Sequence, residues 1–287
     1  MNRTKTQFPH WLRRRLPAEP SSQTRDVLAR FKLNTVCQSA RCPNQCECFS
    51  KRTATFMILG DVCTRGCLFC SVTQGTPRAV DHGEPRRIAE AVKELALRHV
   101  VITSVTRDDL PDDGAGHFAE VITMVKTHCP GVTVEVLTPD FRFHKRAIKR
   151  VCEAVPRIYN HNIEMTPQLF PIIRPRGNFK QSVALLTYVK QHYSQMLVKS
   201  GFMVGLGESD NDVYPLIDTL CDCGIDIITI GQYLQPTQSS VPVDRFVEPE
   251  LFDAYAEYAR GKGIAYVFAG PWVRSSYMAE AVFSSLA

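Results

Sequence analysis

No apolar run in this sequence approaches the roughly 18 to 20 residues that a bilayer-spanning helix requires. Apolar runs such as Phe56 to Leu59, and Ile225 to Ile230 with Asp226 and Thr229 inside it, are strand-sized. A membrane span is therefore not expected. The basic amino terminus, MNRTKTQFPHWLRRRLP, is followed by no apolar signal core, and Pro9 and Pro17 interrupt any sustained amphipathic helix, so it reads as part of the mature protein. Internal repeats and low-complexity tracts are also missing, which argues against solenoid and disordered classes. Charge of one sign is scarce. A net charge of +5 is mild, and the Arg13, Arg14, Arg15 run reads as a solvated patch, which gives no case for a nucleic-acid partner. With 287 residues, 44% of them hydrophobic, the chain can bury one substantial core and carry extensions.

Cysteine is abundant. There are eleven, and the seven between Cys37 and Cys70 are clustered. Cys129, Cys152, Cys221 and Cys223 are scattered and read as small buried apolar residues. A chain this long with so much other core material needs no disulfide scaffold, so metal-bound thiolates in a reducing, cytoplasmic compartment are expected.

From about Ala54 onward, β-branched runs alternate with segments of helical period, which predicts strand-helix units around a parallel sheet. The strand candidates are Ala54 to Leu59, His99 to Thr103, Val132 to Leu137, Arg157 to Asn162, Leu197 to Val204 and Asp226 to Ile230. Phe118, Val121, Ile122 and Val125 fall at i, i+3, i+4, i+7, as do Val213, Leu216, Ile217 and Leu220, so each set lines the core face of a helix. A third helix carries Ile88, Val92 and Leu95, and residues Glu248 to Lys262 and Ile264 to Phe268 add a terminal helix and strand. Six units rather than eight predict an α/β partial (βα)6 TIM-like barrel. The expected division is 1–53 as an amino-terminal extension, 54–247 as the barrel and 248–287 as a carboxyl-terminal extension that closes it. In such barrels reactive groups gather on loops at the carboxyl ends of the strands. Four motifs sit there: DVCTRGCLFC, TSVTRDD, LTPDF and NHNIE.

Cys63, Cys67 and Cys70 form C-x3-C-x2-C around Gly66, directly after the first strand. Thiolate sulfur favours iron-sulfur clusters, zinc and copper(I). Three ligands on a four-iron cluster leave one iron open to a substrate or cofactor. A zinc knuckle is the competing reading, but zinc sites usually show four Cys/His ligands in paired spacings, and no histidine lies in this loop. A second triad, Cys37, Cys42 and Cys48 in C-x4-C-x5-C, implies two metal centres or one large one.

The first-named spacing, with Phe69 before its last cysteine, resembles the signature of the radical S-adenosylmethionine (SAM) superfamily. VCxxARCPNxxECF followed by TATFMILGDVCTRGCxFC resembles the lipoyl synthase family within it. Trp11, Leu12, Arg13, Leu16 and Pro17 near the amino terminus, then TSVTRDDLPDDGA, EVLTPDF, YNHNIE, IIRPRGNFKQS, KSGFMVGLGE, IGQYLQPT and GPWVRSSY, follow in family order.

The resemblance implies two [4Fe-4S] clusters, a radical cluster on Cys63, Cys67 and Cys70 and an auxiliary one on Cys37, Cys42 and Cys48. It further implies two SAM per product and two sulfur atoms inserted at C6 and C8 of a protein-bound octanoyl-lysine. Implied partners are octanoylated lipoyl-carrier domains of 2-oxoacid dehydrogenase or glycine cleavage complexes and a low-potential electron donor. A serine of RSSY is implied as the auxiliary cluster's fourth ligand, Ser276 ahead of Ser275. Serine oxygen is a poor match for soft iron, so that site should be labile, as suits a cluster consumed as sulfur donor.

Asn160, Asn162 and Glu164 alternate along a strand end and are expected on one face, towards the SAM ribose and amino groups. Thr103 and Ser104 end the second strand, where the superfamily meets the SAM amino group. Arg174 can clamp a carboxylate with two parallel bonds. Lys199, Met203 and Gly205 lie on a strand whose glycines allow close approach to a ligand such as adenine. Arg107, Asp108 and Asp109 read as a loop salt-bridge network. Cys46 reads as a spare thiol, or as a replacement for Cys48 if the loop rearranges. Thr106, Asp113 and Ser240 depart from the family pattern and bear on substrate loops. Two other functions remain open here: a sulfur-inserting enzyme similar to biotin synthase or a methylthiotransferase, and a two-cluster electron-transfer protein.

Overall fold

The computed structural model describes residues 8–13, 22–51 and 54–276. Ten strands occur among them: β1 Asn34–Thr35, β2 Thr55–Ile58, β3 Val62–Cys63, β4 Thr73–Gln74, β5 His99–Ser104, β6 Thr133–Leu137, β7 Ile158–Asn160, β8 Leu197–Val204, β9 Ile227–Gln232 and β10 Tyr266–Gly270. The helices are α1 Ser22–Arg30, α2 Val36–Ser39, α3 Gln45–Ser50, α4 Glu84–Glu94, α5 Ala115–His128, α6 Lys145–Glu153, α7 Phe170–Ile173, α8 Phe179–His192, α9 Asp210–Asp222 and α10 Pro249–Gly261.

Eight strands form one sheet in the order β1-β2-β5-β6-β7-β8-β9-β10, and only β1 runs antiparallel to its neighbour. Since β1 and β10 are its two edges, the sheet does not close. The six expected strands are all present, each followed by a helix, and β10 pairs with β9 in parallel to make a seventh. Helix-covered parallel strands are buried on both faces, hence their continuous apolar runs.

The helical stripes pack as their spacing requires. Phe118, Val121, Ile122 and Val125 of α5 are fully buried, as are Val213, Ile217 and Leu220 of α9, with Leu216 nearly so. Ile88 and Val92 of α4, and Leu95 just after it, join the same core. Ser209 caps α9: its side chain accepts from the third helical residue while Asp212 accepts from the Ser209 backbone N–H at 2.9 Å.

One boundary differs with consequence. β7 stops at Asn160 rather than Asn162, and the chain then bends so that Glu164 forms an isolated bridge to Phe202 of β8. Glu164 adopts φ +74°, a left-handed conformation that costs a non-glycine residue energy and is characteristic of functional sites. Of the amino-terminal residues named above, Arg14, Arg15, Leu16 and Pro17 lie outside the described residues, as does Tyr277 of RSSY.

Candidate functional site

The loop after β2 is tied down along its length. β3 and β4 pair at its base, Thr64 N–H donates to Thr106 O (3.1 Å), and Leu68 N–H donates to Ile173 O (2.9 Å). A Cβ at Gly66 would displace the end of the Gln74 side chain, which lies over the loop there. Arg65, which is 5% exposed, anchors the loop to the ends of two strands. Its guanidinium donates to Asp140 (Nη1 to Oδ2, 2.6 Å; Nη2 to Oδ1, 2.8 Å) and to Asp108 (Nε to Oδ2 and Nη2 to Oδ1, both 2.8 Å). Two bidentate carboxylates around one planar cation define its orientation. Burial alone would push the Asp140 carboxyl up, but Arg65 overrides it and holds it at about 2.

The auxiliary loop is attached through β1. Cys37 lies in α2, whose cap Thr35 Oγ1 accepts from Gln38 N (3.3 Å); Cys42 N–H donates to Cys37 O (3.0 Å), and Cys48 follows in α3. All eleven cysteines are free thiols.

Both triads line one cavity of about 490 Å³, together with Thr103, Ser104, His161, Asn162, Glu164, Arg174, Met203, Ser275 and Ser276. Cys46 is not in that lining. Two residues along a helix turn about 200°, which directs Cys46 away from the side that Cys48 presents.

Burial pushes the Cys37 thiol up to about 11, Cys48 up to about 12 and Cys70 up to about 11, and raises Cys67 as well. Neutral thiols of this kind become ligands only by losing protons to a cation that takes their place. Backbone N–H groups already point at the sulfurs: Arg65 and Thr106 donate to Cys63 Sγ (3.4 and 3.3 Å), and Val72 to Cys70 Sγ (3.4 Å). Such donors stabilise thiolate-held clusters.

Beside the Cys63 triad, Arg174 is 8% exposed, and its Nε and Nη1 find no hydrogen-bond partner among the described residues. Ser104 Oγ and Asn162 Oδ1 are likewise buried and unpartnered. Buried polar atoms left open are costly unless a ligand meets them. A cation with two spare N–H groups, a hydroxyl and an amide oxygen in one wall therefore fit a small molecule bearing a carboxylate and further polar groups. Burial raises the Glu164 carboxyl, against the pull of Arg174 and Asn162. Sulfur-rich triads and this polar wall thus fit iron-sulfur clusters and SAM side by side.

Three expected cofactor contacts lie elsewhere. Lys199 Nζ bonds Glu135 Oε1 at 2.8 Å, where both side chains are 1% exposed or less, and Asn160 Nδ2 reaches the same oxygen at 3.4 Å. His99 Nε2 holds the other oxygen at 3.1 Å. These four residues form a polar network outside the cavity lining. Asn160 is directed to Glu135 because β7 ends there and the chain bends before Asn162. Gly205 (φ +92°) is also not in the lining; its N–H and that of Leu206 donate to Glu208 (2.6 and 3.0 Å), and a side chain there would strike the Gln232 amide and Arg245 O. GLGE is a self-closed turn.

The lining also contains residues that patterning did not single out. His161 Nδ1 donates to Thr138 O and Nε2 accepts from Ser182 Oγ, both at 2.9 Å. Burial and the Arg174 charge push this imidazole down to about 4, so it is neutral near pH 7. Its place between two asparagines was the available signal. Phe8 and Tyr233 complete the wall.

The fold and the cavity place the chain among radical SAM proteins. The radical SAM superfamily model matches residues 57–220. Two solved structures share the architecture: SuiB of Streptococcus suis bound to S-adenosylmethionine (TM-score 0.59, 12% identity, 81% of this chain and 54% of that one) and TYW1 with a lysine-pyruvate adduct (TM-score 0.54, 12% identity, 85% and 82%).

Within that superfamily the chain belongs to the lipoyl synthase family. It is 51% identical to the lipoyl synthase of Nitratidesulfovibrio vulgaris strain Hildenborough over 97% of this chain and 93% of that one. To the lipoyl synthase of Caldanaerobacter subterraneus subsp. tengcongensis it is 50% identical over 95% of each.

Proposed function

We propose that this chain inserts two sulfur atoms, at C6 and C8, into an octanoyl group carried on the lysine of a lipoyl-carrier domain, consuming two SAM per product. The observation that carries this reading is that two triads of free thiols and two serines face a single cavity. An electron-transfer protein needs no such shared chamber. When bound, SAM and the two clusters supply the hydrogen-abstracting radical and the sulfur.

The protein's own task is positioning. Cys63, Cys67 and Cys70 would hold the radical cluster, and Arg174, whose Nε and Nη1 are unpartnered, would meet the SAM carboxylate. Thr103, Ser104, Asn162, Glu164 and Met203 surround the rest of the cofactor. Thr103 is itself set by its hydroxyl donating to Leu137 O (2.9 Å). Cys37, Cys42, Cys48 and Ser276, or Ser275 in its place, hold the auxiliary cluster. The apolar stretch of the wall, including Met57, Val105, Leu137 and Leu234, suits an eight-carbon acyl chain and excludes water from it. With both reacting carbons held near the radical source, the barrier falls through proximity rather than through acid-base chemistry. Neutral His161 contributes shape and holds Thr138.

Anaerobically reconstituted protein should contain about eight iron and eight sulfide per chain. Incubated with reductant, SAM and an octanoylated peptide, it should yield 5'-deoxyadenosine and a dithiolated peptide. Deoxyadenosine without sulfur in the peptide would overturn the proposal, as would sulfur arriving from outside the protein's own sulfide.

A further inference from the structure

The two edges of the open sheet lead into the two halves of the auxiliary site. β1 runs directly into α2 and the Cys37 to Cys48 loop, whereas β10 runs into residues 271–276, which carry Ser275 and Ser276. No strand pairing joins those edges, so something else must determine where the serines arrive.

Two contacts do. Asn44, fully buried between Cys42 and Cys48, donates from Nδ2 to Trp272 O at 2.8 Å across 228 residues of sequence. On the opposite side, the backbone of Val273 lies on Gly231 of β9. A Cβ at Gly231 would overlap Val273 O and come within 3.2 Å of both Val273 C and Arg274 Nη1. The carboxyl-terminal segment is thus clasped from the auxiliary loop at Trp272 and seated on the barrel wall at Val273, two residues before Ser275.

We infer that Asn44 and Gly231 are positioning residues of the auxiliary site, which deliver the serine of residues 275–276 to the iron held by Cys37, Cys42 and Cys48. The inference rests on the two-cluster reading above. Asn44 acts through the chain rather than as a ligand: it fixes the carbonyl three residues before Ser275. Because a hydroxyl is a weak ligand for soft iron, its hold depends on being presented at the right place. A segment free to lift would leave that iron open to water. Gly231 acts in the same sense from β9, on the other side of the segment, so the two can be perturbed separately.

The test uses the full chain with Cys63, Cys67 and Cys70 changed to Ala, leaving one cluster, and compares Asn44→Asp, an isostere without the amide donor, with Gly231→Ala. Two rates are read: removal of the first iron by EDTA, and tryptic cleavage after Arg274, followed by the mass of the released carboxyl-terminal peptide. Loss of one buried hydrogen bond, about 1.4 kcal/mol, corresponds to a tenfold rise in opening. Both variants should bind about four iron; Asn44→Asp should therefore lose the first about tenfold faster and be cut about tenfold faster, and Gly231→Ala, whose Cβ would overlap the Val273 carbonyl, should raise both rates as well. A structural role elsewhere would not raise both rates in two variants that share only this segment. Parent-like rates in either variant overturn the inference while the two-cluster reading stands. If Cys37→Ala, Cys42→Ala and Cys48→Ala in the same background leave the iron content unchanged, the two-cluster reading falls, and this inference with it.

Discussion

Replacing Lys199 by Met tests whether this residue serves the cofactor or the barrel interior. Lys199 and Glu135 are 1% and 0% exposed, and their 2.8 Å pairing is the shortest contact Glu135 makes in its network. Burial pushes the Glu135 carboxyl up, yet the Lys199 charge and the His99 hydrogen bond bring it below its ordinary range, so it is an anion in the folded state. Removing one partner of such a buried pair costs about 3–5 kcal/mol, because the remaining charge has no water to turn to. For a chain of this size, at roughly 2–4 °C per kcal/mol, the melting temperature of Lys199→Met should fall by about 6–20 °C. Glu135→Gln/Lys199→Met should recover most of that loss, since the neutral amide keeps His99 and Asn160 as partners and replacement of a whole buried pair is often near neutral. Thermal melts of the two single variants and the double variant give the coupling. SAM titration into the reconstituted double variant gives the second readout. If Lys199 instead contacted the cofactor, losing a charged hydrogen bond of about 1.5–3 kcal/mol would weaken binding roughly ten- to hundredfold. Additive destabilisation, or that weakening in the double variant, would refute the placement.

Three further outcomes follow from the geometry. Asp140 is held at about 2, below its ordinary 3.8, so its stabilisation is complete above about pH 4 and disappears as pH falls through 2. Denaturant titrations at stepped pH should show about 2 kcal/mol of acid-labile stability that is missing in Asp140→Asn. Cys46→Ala should keep its full iron content on quantitation, whereas Cys48→Ala should lose about half, four of eight irons. Gly205→Ala, forced into a left-handed backbone and against Gln232 and Arg245, should lower the melting temperature by several degrees, whereas a compatible Gly→Ala change, gaining roughly 0.4–1 kcal/mol, would raise it; iron content should be retained.

The sequence by itself determined the thiol chemistry and the class of fold. Cysteines separated by two to five residues must lie close together whatever the rest of the chain does, so C-x3-C-x2-C and C-x4-C-x5-C were legible as two groups of thiols, and the structure brings both to one cavity. Helix faces such as Phe118 to Val125 were legible because their period is a local property of the backbone. Tertiary structure alone decided what converges. Asn160 and Asn162 differ by two residues, and strand alternation put them on one face; the end of β7 at Asn160 separates them, one to Glu135 and one to the cavity. Lys199 meets a carboxylate 64 residues away because β6, β7 and β8 are in register. Arg65 finds Asp108 and Asp140 because β2, β5 and β6 are paired neighbours, whereas Asn44 finds Trp272 across the unpaired edges of the sheet. Pairing partners and strand ends depend on the whole sheet, and no stretch of the chain short enough to carry a motif contains them.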